Sequence, residues 1–386
     1  MVSLDHHLRL LQRLAREWAA DIRPLALELD RDPAAVFRHL DLPLMAYMAT
    51  AQIPPEHNPS PMILGGRAFY GLSALERVVL GEEIACGDVG MLLASPGASM
   101  AGVLVAMLGD KQQQEWFYGR LRERFTWTFF ALTEPTHGSD AGGVQTRLTP
   151  APEEDTLLLN GTKKYIGNAA RAQLGVVFAR TAPGPLGISA VLVETSAPGF
   201  SAERINTFGL RGAELTTVAL ADVRIAADRV LGRHLSPSRR GMLGWIQTLN
   251  LLRPSAAAMG VGIARAAHEY VRAHRRTLRA HERDALDTMG QRINGVRQLV
   301  WRAAVEVDKN AADGRFAAAA KVQAARLAHD VTAQALGFFG PGARLTHPLL
   351  DKFARDALGI EFLEGTSNIQ KLSLFQGLLK DRPHHE

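Results

Sequence analysis

Cys86 is the only cysteine in 386 residues, which excludes an internal disulfide and fits a reducing compartment. No apolar run approaches the roughly 20 residues needed to span a bilayer, so no membrane association is expected. Met1 to Asp30 reads as an amphipathic helix with Leu8, Leu11, Leu14 and Trp18 on one side. It lacks the apolar block and cleavage site of a signal peptide, and a cytoplasmic location is expected. Arginine far outnumbers lysine and the net charge is +5. There is no basic run with interleaved aromatics, so nucleic acid is not an expected partner. The mild positive charge suits a phosphate-rich ligand or an acidic carrier protein. No repeat or low-complexity segment is present, and no metal site is expected.

What is present is a large apolar fraction, 47% of residues, in a chain long enough for two or three lobes. Residues 1–128 read as helical: Leu75 to Ile84 and Lys111 to Tyr118 carry the helical period, and Ile53 to Pro61 is a proline-rich loop. The small apolar stretch from Gly87 to Gly109 suits a buried helix or a pocket wall. Residues 129–232 carry short β-rich runs separated by Gly and Pro clusters. These include the strands around Phe125–Leu132, Thr156–Asn160, Leu174–Arg180, Ile188–Glu194 and Leu215–Val223. Residues 233–386 return to helices, expected at about 244–276, 285–313, 316–337 and 348–358. Ala-rich Phe316 to Leu336 is the strongest of these. The expected fold is α+β and multidomain: an N-terminal helical domain, a middle antiparallel β domain and a C-terminal four-helix bundle.

Two stretches carry chemistry. In Ile360-Glu-Phe-Leu-Glu364-Gly-Thr-Ser-Asn-Ile-Gln370, a carboxylate sits among apolar neighbours, which strengthens it as a base. Gly365 frees the backbone, and Thr366, Ser367 and Asn368 supply hydrogen bonds and a helix start. Taken alone, the stretch fits a capped helix start with an exposed Glu364 slightly better. In Phe130-Ala-Leu-Thr-Glu-Pro-Thr-His-Gly-Ser-Asp140, a strand runs into a turn. The Thr133 and Ser139 hydroxyls there suit a polar ligand, and Gly138 permits close approach of the backbone.

The second stretch resembles the signature of the acyl-CoA dehydrogenases, and four further blocks follow in register. They are Asn160-Gly-Thr-Lys-Lys-Tyr-Ile-Gly-Asn168, Phe208-Gly-Leu-Arg-Gly212, Leu251-Leu-Arg253-Pro with the helix after it, and Gln334-Ala-Leu-Gly337 together with Glu364 to Gln370. The resemblance covers nearly the whole chain. It implies a divergent member that binds FAD between the β domain and the bundle and oxidises an acyl thioester at Cα and Cβ. Glu364 is then the base taking the α-proton, while flavin N5 takes the β-hydride.

By the same resemblance, Phe130, Leu132, Thr133, Tyr165, Ile166 and Gly167 lie at the flavin. Ser139 lies near the pyrophosphate and the thioester arm, and Arg275, Gln334, Gly337, Thr366 and Asn368 also bind the cofactor. Ser139, Arg253 and Gly365 fall on the substrate side. Leu252 stands where some branched-chain relatives place the base, which leaves Glu364 without a rival. Glu361 reads as structural. Three readings stay open at this point: Tyr165 as sheet core, Arg253 as a buried ion-pair residue, and His137 as a surface-loop histidine or a substrate contact.

Three departures stand out. Gly167 replaces the Ser or Thr that hydrogen-bonds N5. His274 replaces an arginine that in relatives reaches a neighbouring subunit's FAD, with Arg275 and Arg276 beside it. Gly337-Phe-Phe-Gly340 replaces a Gly-Gly-x-Gly turn. The implied partners are an acyl-CoA or acyl-carrier-protein thioester, an electron-transfer flavoprotein as acceptor, and further copies of the chain in a homodimer or homotetramer. The divergence suits an acyl-carrier-protein-specific oxidase of secondary metabolism. The alternative activity is that of a flavin-dependent oxygenase or N-hydroxylase on the same fold.

Overall fold

In the computed structural model, residues 1–236, 239–240 and 242–380 are described. The N-terminal amphipathic stretch is shorter than its pattern suggests. Helix α1 runs His6–Ile22, capped by the Asp5 carboxylate, which accepts from Leu8 N at 2.7 Å. Pro24 has no N–H to continue the helical ladder, and a 3₁₀ turn leads into α2 (Ala26–Arg31). Leu8, Leu11, Trp18 and Ile22 are buried, each apolar side chain contributing about 1.5–3 kcal/mol. Helix α3 (Pro43–Thr50) and a hairpin absent from the sequence reading, β1 (Met62–Leu64) with β2 (Arg67–Phe69), precede α4 (Ala74–Ala94), α5 (Ser99–Leu108) and α6 (Lys111–Glu123).

The sheet comprises β3 (Thr128–Ala131), β4 (Arg147–Pro150), β5 (Thr156–Ile166), β6 (Leu174–Arg180), β7 (Ile188–Glu194), β8 (Phe200–Arg204) and β9 (Thr216–Ala226). Its order is β3-β6-β4-β5-β9-β8, with β7 on β6. The expected antiparallel pairing holds for β4–β5, β5–β9, β6–β7 and β8–β9. Strand β3, which leads into the Thr133 turn, instead runs parallel to β6, Thr128 opposite Leu174. Such pairing needs a long crossover, and the segment carrying β4 and β5 supplies it.

The C-terminal part contains α7 (Met242–His274), α8 (Ala280–Lys309), α9 (Arg315–Gly337), short α10 (Ala343–Thr346), α11 (Pro348–Ile360) and α12 (Ser367–Lys380). Helices α7, α8, α9 and α11 pack as the bundle, and α4 lies along α7. Buried Glu82 and Glu83 on α4 hold Arg265 of α7 at 2.9 and 3.0 Å. Glu82 also holds Arg297 of α8 at 2.7 Å.

A buried Asp88–Lys352–Asp356 cluster joins all three parts. Helix α4 kinks at Asp88, whose backbone is extended, and its carboxylate caps the next turn through Met91 N at 2.9 Å. Lys352 Nζ donates to Asp88 and, at 2.6 Å, to Asp356, which accepts from Leu210 N at 2.7 Å. Leu210 lies in the Phe208–Gly212 block, where glycine is required by close backbone approach. A Cβ at Gly209 would sit 2.2 Å from the Arg355 carbonyl, and one at Gly212 would sit 2.3 Å from that of Gly90. Among the described residues no single helix is long and apolar enough to cross a membrane.

Candidate active site

The site is built from two corners of backbone. At the first, β3 ends and the chain turns through Leu132 and Thr133. Fully buried Lys163 of β5 donates to the Leu132 carbonyl at 3.0 Å and to Glu134 Oε1 at 2.9 Å. Glu134 also accepts from Gln145 N at 2.7 Å and Thr146 N at 2.8 Å. Burial opposes ionisation of Glu134, but the Thr146 hydrogen bond and Lys163 hold its pKa below the usual carboxylate range. Burial lowers the Lys163 pKa to about 8 against the pull of Glu134.

Lys164 N donates to the Thr133 carbonyl at 2.9 Å, which sets Tyr165 beside the same turn. Tyr165 has φ +62°, a conformation β-strand residues rarely adopt. It turns the ring outward, 55% exposed, so the ring is not sheet core. Ile166 is buried, and Phe130 packs its ring 5.1 Å from Phe178. A Cβ at Gly167 would meet only ordinary contacts, 3.5 Å from the Ala213 carbonyl. Ser139 is exposed on the following loop. His137 is half-buried and hydrogen-bonds Thr136 at 2.9 Å.

The second corner is the turn between α11 and α12. Glu361 turns its carboxylate to the start of α12, accepting from Ser367 N at 2.7 Å and Ser367 Oγ at 2.5 Å. This is the structural role its spacing suggested. Glu364 has φ +55° and Gly365 φ +97°. The Glu364 carbonyl accepts from Gln370 Nε2 at 3.0 Å and from Arg253 Nε at 3.4 Å.

Arg253, buried on α7, also donates to Asn250 Oδ1 and makes no ion pair with a carboxylate among the described residues. Glu364 Oε2 is shielded and has no hydrogen-bond partner among the described residues, nor has the Glu364 N–H. Burial raises the Glu364 pKa to about 7, and the nearby Arg253 and Lys321 cations oppose the rise. A carboxyl at that value is a usable base near neutrality.

The remaining predicted residues form a third group. Gln334 and Gly337 are exposed at the C-terminal end of α9. Arg275 donates to the Phe338 carbonyl and pairs with Glu282 at 3.0 Å. His274 stacks on Tyr270, ring centroids 3.8 Å apart. Gln334 lies thirteen residues along α9 from Lys321, which underlies the Glu364 turn. That is about 20 Å at 1.5 Å per residue, so this group is remote from Glu364 in the same chain.

Sequence reasoning missed Lys321, Gln370 and the Glu134–Lys163 pair. The signal for Lys321 was its place among Ala317, Ala320, Ala324 and Ala328, the buried stripe of α9.

Two family models match: the acyl-CoA dehydrogenase middle domain over residues 129–223 and the C-terminal domain over residues 239–379. Human mitochondrial short-chain specific acyl-CoA dehydrogenase is 30% identical, over 98% of this chain and 92% of that protein.

The chain belongs to the acyl-CoA dehydrogenase family.

The NADH-dependent acryloyl-CoA reductase of Anaerotignum propionicum is likewise 30% identical, covering 98% and 96%. Butyryl-CoA dehydrogenase from Megasphaera elsdenii superposes with a TM-score of 0.83 at 26% identity, covering 98% of this chain and 100% of that one.

The protein is therefore an FAD-dependent oxidoreductase of the acyl-CoA dehydrogenase type. The two corners suit the cofactor. Side chains of Thr133 and Ser139 at the first corner and of Thr366 and Asn368 at the second are not committed to any hydrogen bond within the described residues, and nor is that of Gln334 in the third group. Tyr165 presents an open aromatic face beside Thr133.

Proposed function

We propose that this acyl-CoA dehydrogenase removes the α-proton of an acyl thioester with Glu364 and so generates the 2-enoyl thioester. The observation that carries the reading is the shielded, unpartnered Glu364 Oε2 with a pKa raised to about 7. Leu132, Thr133, Tyr165, Ile166 and Gly167 would hold the flavin ring, and Phe130 would back it. Ser139, Thr366 and Asn368 would hold the rest of the cofactor. Bound FAD supplies the acceptor for the β-hydrogen with its electron pair.

The Cα–H electrons form the new double bond as Glu364 takes the proton. The free Glu364 N–H suits the thioester oxygen, where negative charge develops. Arg253 and Gly365 shape the substrate side, and apolar Leu363 and Leu252 help exclude water from the base.

Gln334 and Gly337, at the far end of α9, and Arg275, which follows α7 and meets that end at the Phe338 carbonyl, lie too far from Glu364 to share one ring site with it. This supports a homodimer or homotetramer in which they serve a neighbouring chain's FAD, and an electron-transfer flavoprotein as acceptor completes the expected cycle. The thioester handle is CoA or an acyl carrier protein. The departures at Gly167 and His274, with the net positive charge, favour the carrier-bound form.

The test is anaerobic addition of matched acyl-CoA and acyl-carrier thioesters to the FAD-loaded protein, read at the flavin band. Bleaching that Glu364→Gln slows by about 10³-fold supports the reading. Near-normal bleaching in that variant places the base elsewhere, and equal or better use of free acyl-CoA removes the carrier preference. Gly167 favours one second reading, since no steric constraint excludes a side chain there: a flavin-dependent oxygenase. Hydroxylated product on aerobic turnover would establish that activity instead.

A further inference from the structure

Lys321 is a buried cation that the chemistry above leaves without a role. Its side chain is 0% exposed on the face of α9 beneath the Glu361–Gly365 turn. Nζ donates to the carbonyl of Glu361 at 3.3 Å and to that of Gly365 at 3.4 Å. No carboxylate lies within ion-pair distance of it among the described residues.

An ammonium buried without a counter-ion is costly, and an apolar side chain of the same length would fill the space without that cost. Burial lowers the Lys321 pKa to about 8, with Glu361 and Glu364 opposing the fall and Arg253 adding to it.

What the cation touches explains its presence. The two carbonyls bracket Glu364, one three residues before it and one directly after. Glu364 and Gly365 both have positive φ, a conformation that non-glycine residues keep only when their surroundings hold it. Gln370 and Arg253 hold the Glu364 carbonyl from α12 and α7, and Lys321 holds the turn from α9. The charged groups facing the Glu364 carboxylate are thus Arg253 of α7 and Lys321 of α9, while Glu361 of the turn itself acts on Lys321 and commits its carboxylate to Ser367.

We propose that Lys321 is a positioning residue for the reaction: it clamps the turn that carries Glu364 through the flanking carbonyls and supplies the positive field in which that carboxylate works. The proposal rests on the reading of Glu364 as base, and its test separates the two.

The carboxyl of Glu364 is titrated directly by infrared difference spectroscopy, parent minus Glu364→Gln, in FAD-loaded protein. The titration is repeated in the Lys321→Met background, which loses charge and donor, and in Lys321→Gln, which loses charge but keeps a donor. FAD content and thermal unfolding are measured alongside. Loss of the cation should raise the Glu364 midpoint by about one pH unit in both variants, a tenfold change in its ionisation equilibrium. Flavin reduction at pH 7 should fall correspondingly, with Lys321→Gln recovering more of the rate at high pH than Lys321→Met.

If Lys321→Met fails to fold, the Lys321→Gln midpoint carries the test. A midpoint unchanged in a folded, FAD-loaded variant overturns the proposal and leaves Lys321 as packing only. Should Glu364→Gln retain flavin reduction, the assignment of the base falls, while the infrared midpoint still reports on Lys321.

Discussion

Lys163 Nζ and Glu134 Oε1 lie 2.9 Å apart, both side chains buried, directly behind the turn that carries Leu132 and Thr133. The same ammonium holds the Leu132 carbonyl, and the same carboxylate holds the Gln145 and Thr146 amides. The pair therefore fixes the strand corner proposed to face the flavin, although neither member faces it.

Removing one partner of a buried pair leaves an uncompensated charge, which costs about 3–5 kcal/mol. Glu134→Ala also strands two backbone N–H groups, so it should destabilise more than Lys163→Met. The double variant should cost less than the sum of the singles, because the orphaned charge is gone. Denaturant unfolding of the four proteins measures this. Additive losses would mean the pair is not coupled.

Glu364 makes the opposite contribution to stability. Its folded pKa, about 7, lies above the ordinary carboxylate value of 4.5, so the folded state binds a proton more tightly than the unfolded chain. The penalty for holding it ionised is absent below the unfolded value, grows between the two and is complete above about pH 7. Discounted for partial exposure of the residue, it is on the order of 2 kcal/mol. Glu364→Gln should therefore raise the Tm at pH 8 and have little effect near pH 5. Thermal scans at both pH values check this, and equal shifts would place the effect in packing instead of charge.

Much of this architecture was legible because it depends on periodicity and order. The Ala-rich run gave α9 within a residue of its observed start, and the five blocks placed Glu364 in its turn. The parallel β3–β6 pairing was not legible, since a short strand carries no mark of its neighbour's direction. Lys321 was hidden for a different reason. A lysine on an alanine stripe ordinarily reads as a solvated residue, and only the approach of the Glu361–Gly365 turn shows that it is enclosed. The left-handed Glu364 was likewise invisible, because glutamate gives no local signal for positive φ where glycine at 365 does.

Gly167 tests whether a departure from the family is imposed by space. A Cβ there would lie 3.5 Å from the nearest atom, the Ala213 carbonyl oxygen, and Gly167 has no positive φ. Gly167→Ser should therefore fold with a stability change within about 0.5 kcal/mol. By placing a hydroxyl at the position where relatives hydrogen-bond N5, it should speed flavin reduction by substrate. Stopped-flow reduction under anaerobic conditions reads the rate, and no gain would mean the ring lies out of reach of this position.

Gly365 is the case where glycine is required. Its φ of +97° is strained for any residue with a Cβ, and that atom would sit 2.6 Å from Gln370 Nε2. Gln370 cannot move away freely, because the same Nε2 donates to the Glu364 carbonyl at 3.0 Å. Gly365→Ala must therefore either distort the turn or break that hydrogen bond, and both outcomes move the base. The expected cost is about 2 kcal/mol or more in stability. Flavin reduction should fall by roughly 10²-fold, since small displacements of a reacting group are expensive. Gln370→Ala removes the clash along with the hydrogen bond, so in the Gly365→Ala background it should recover part of the stability without recovering the rate. Recovery of both would show that the Gln370 contact does not hold Glu364 in place.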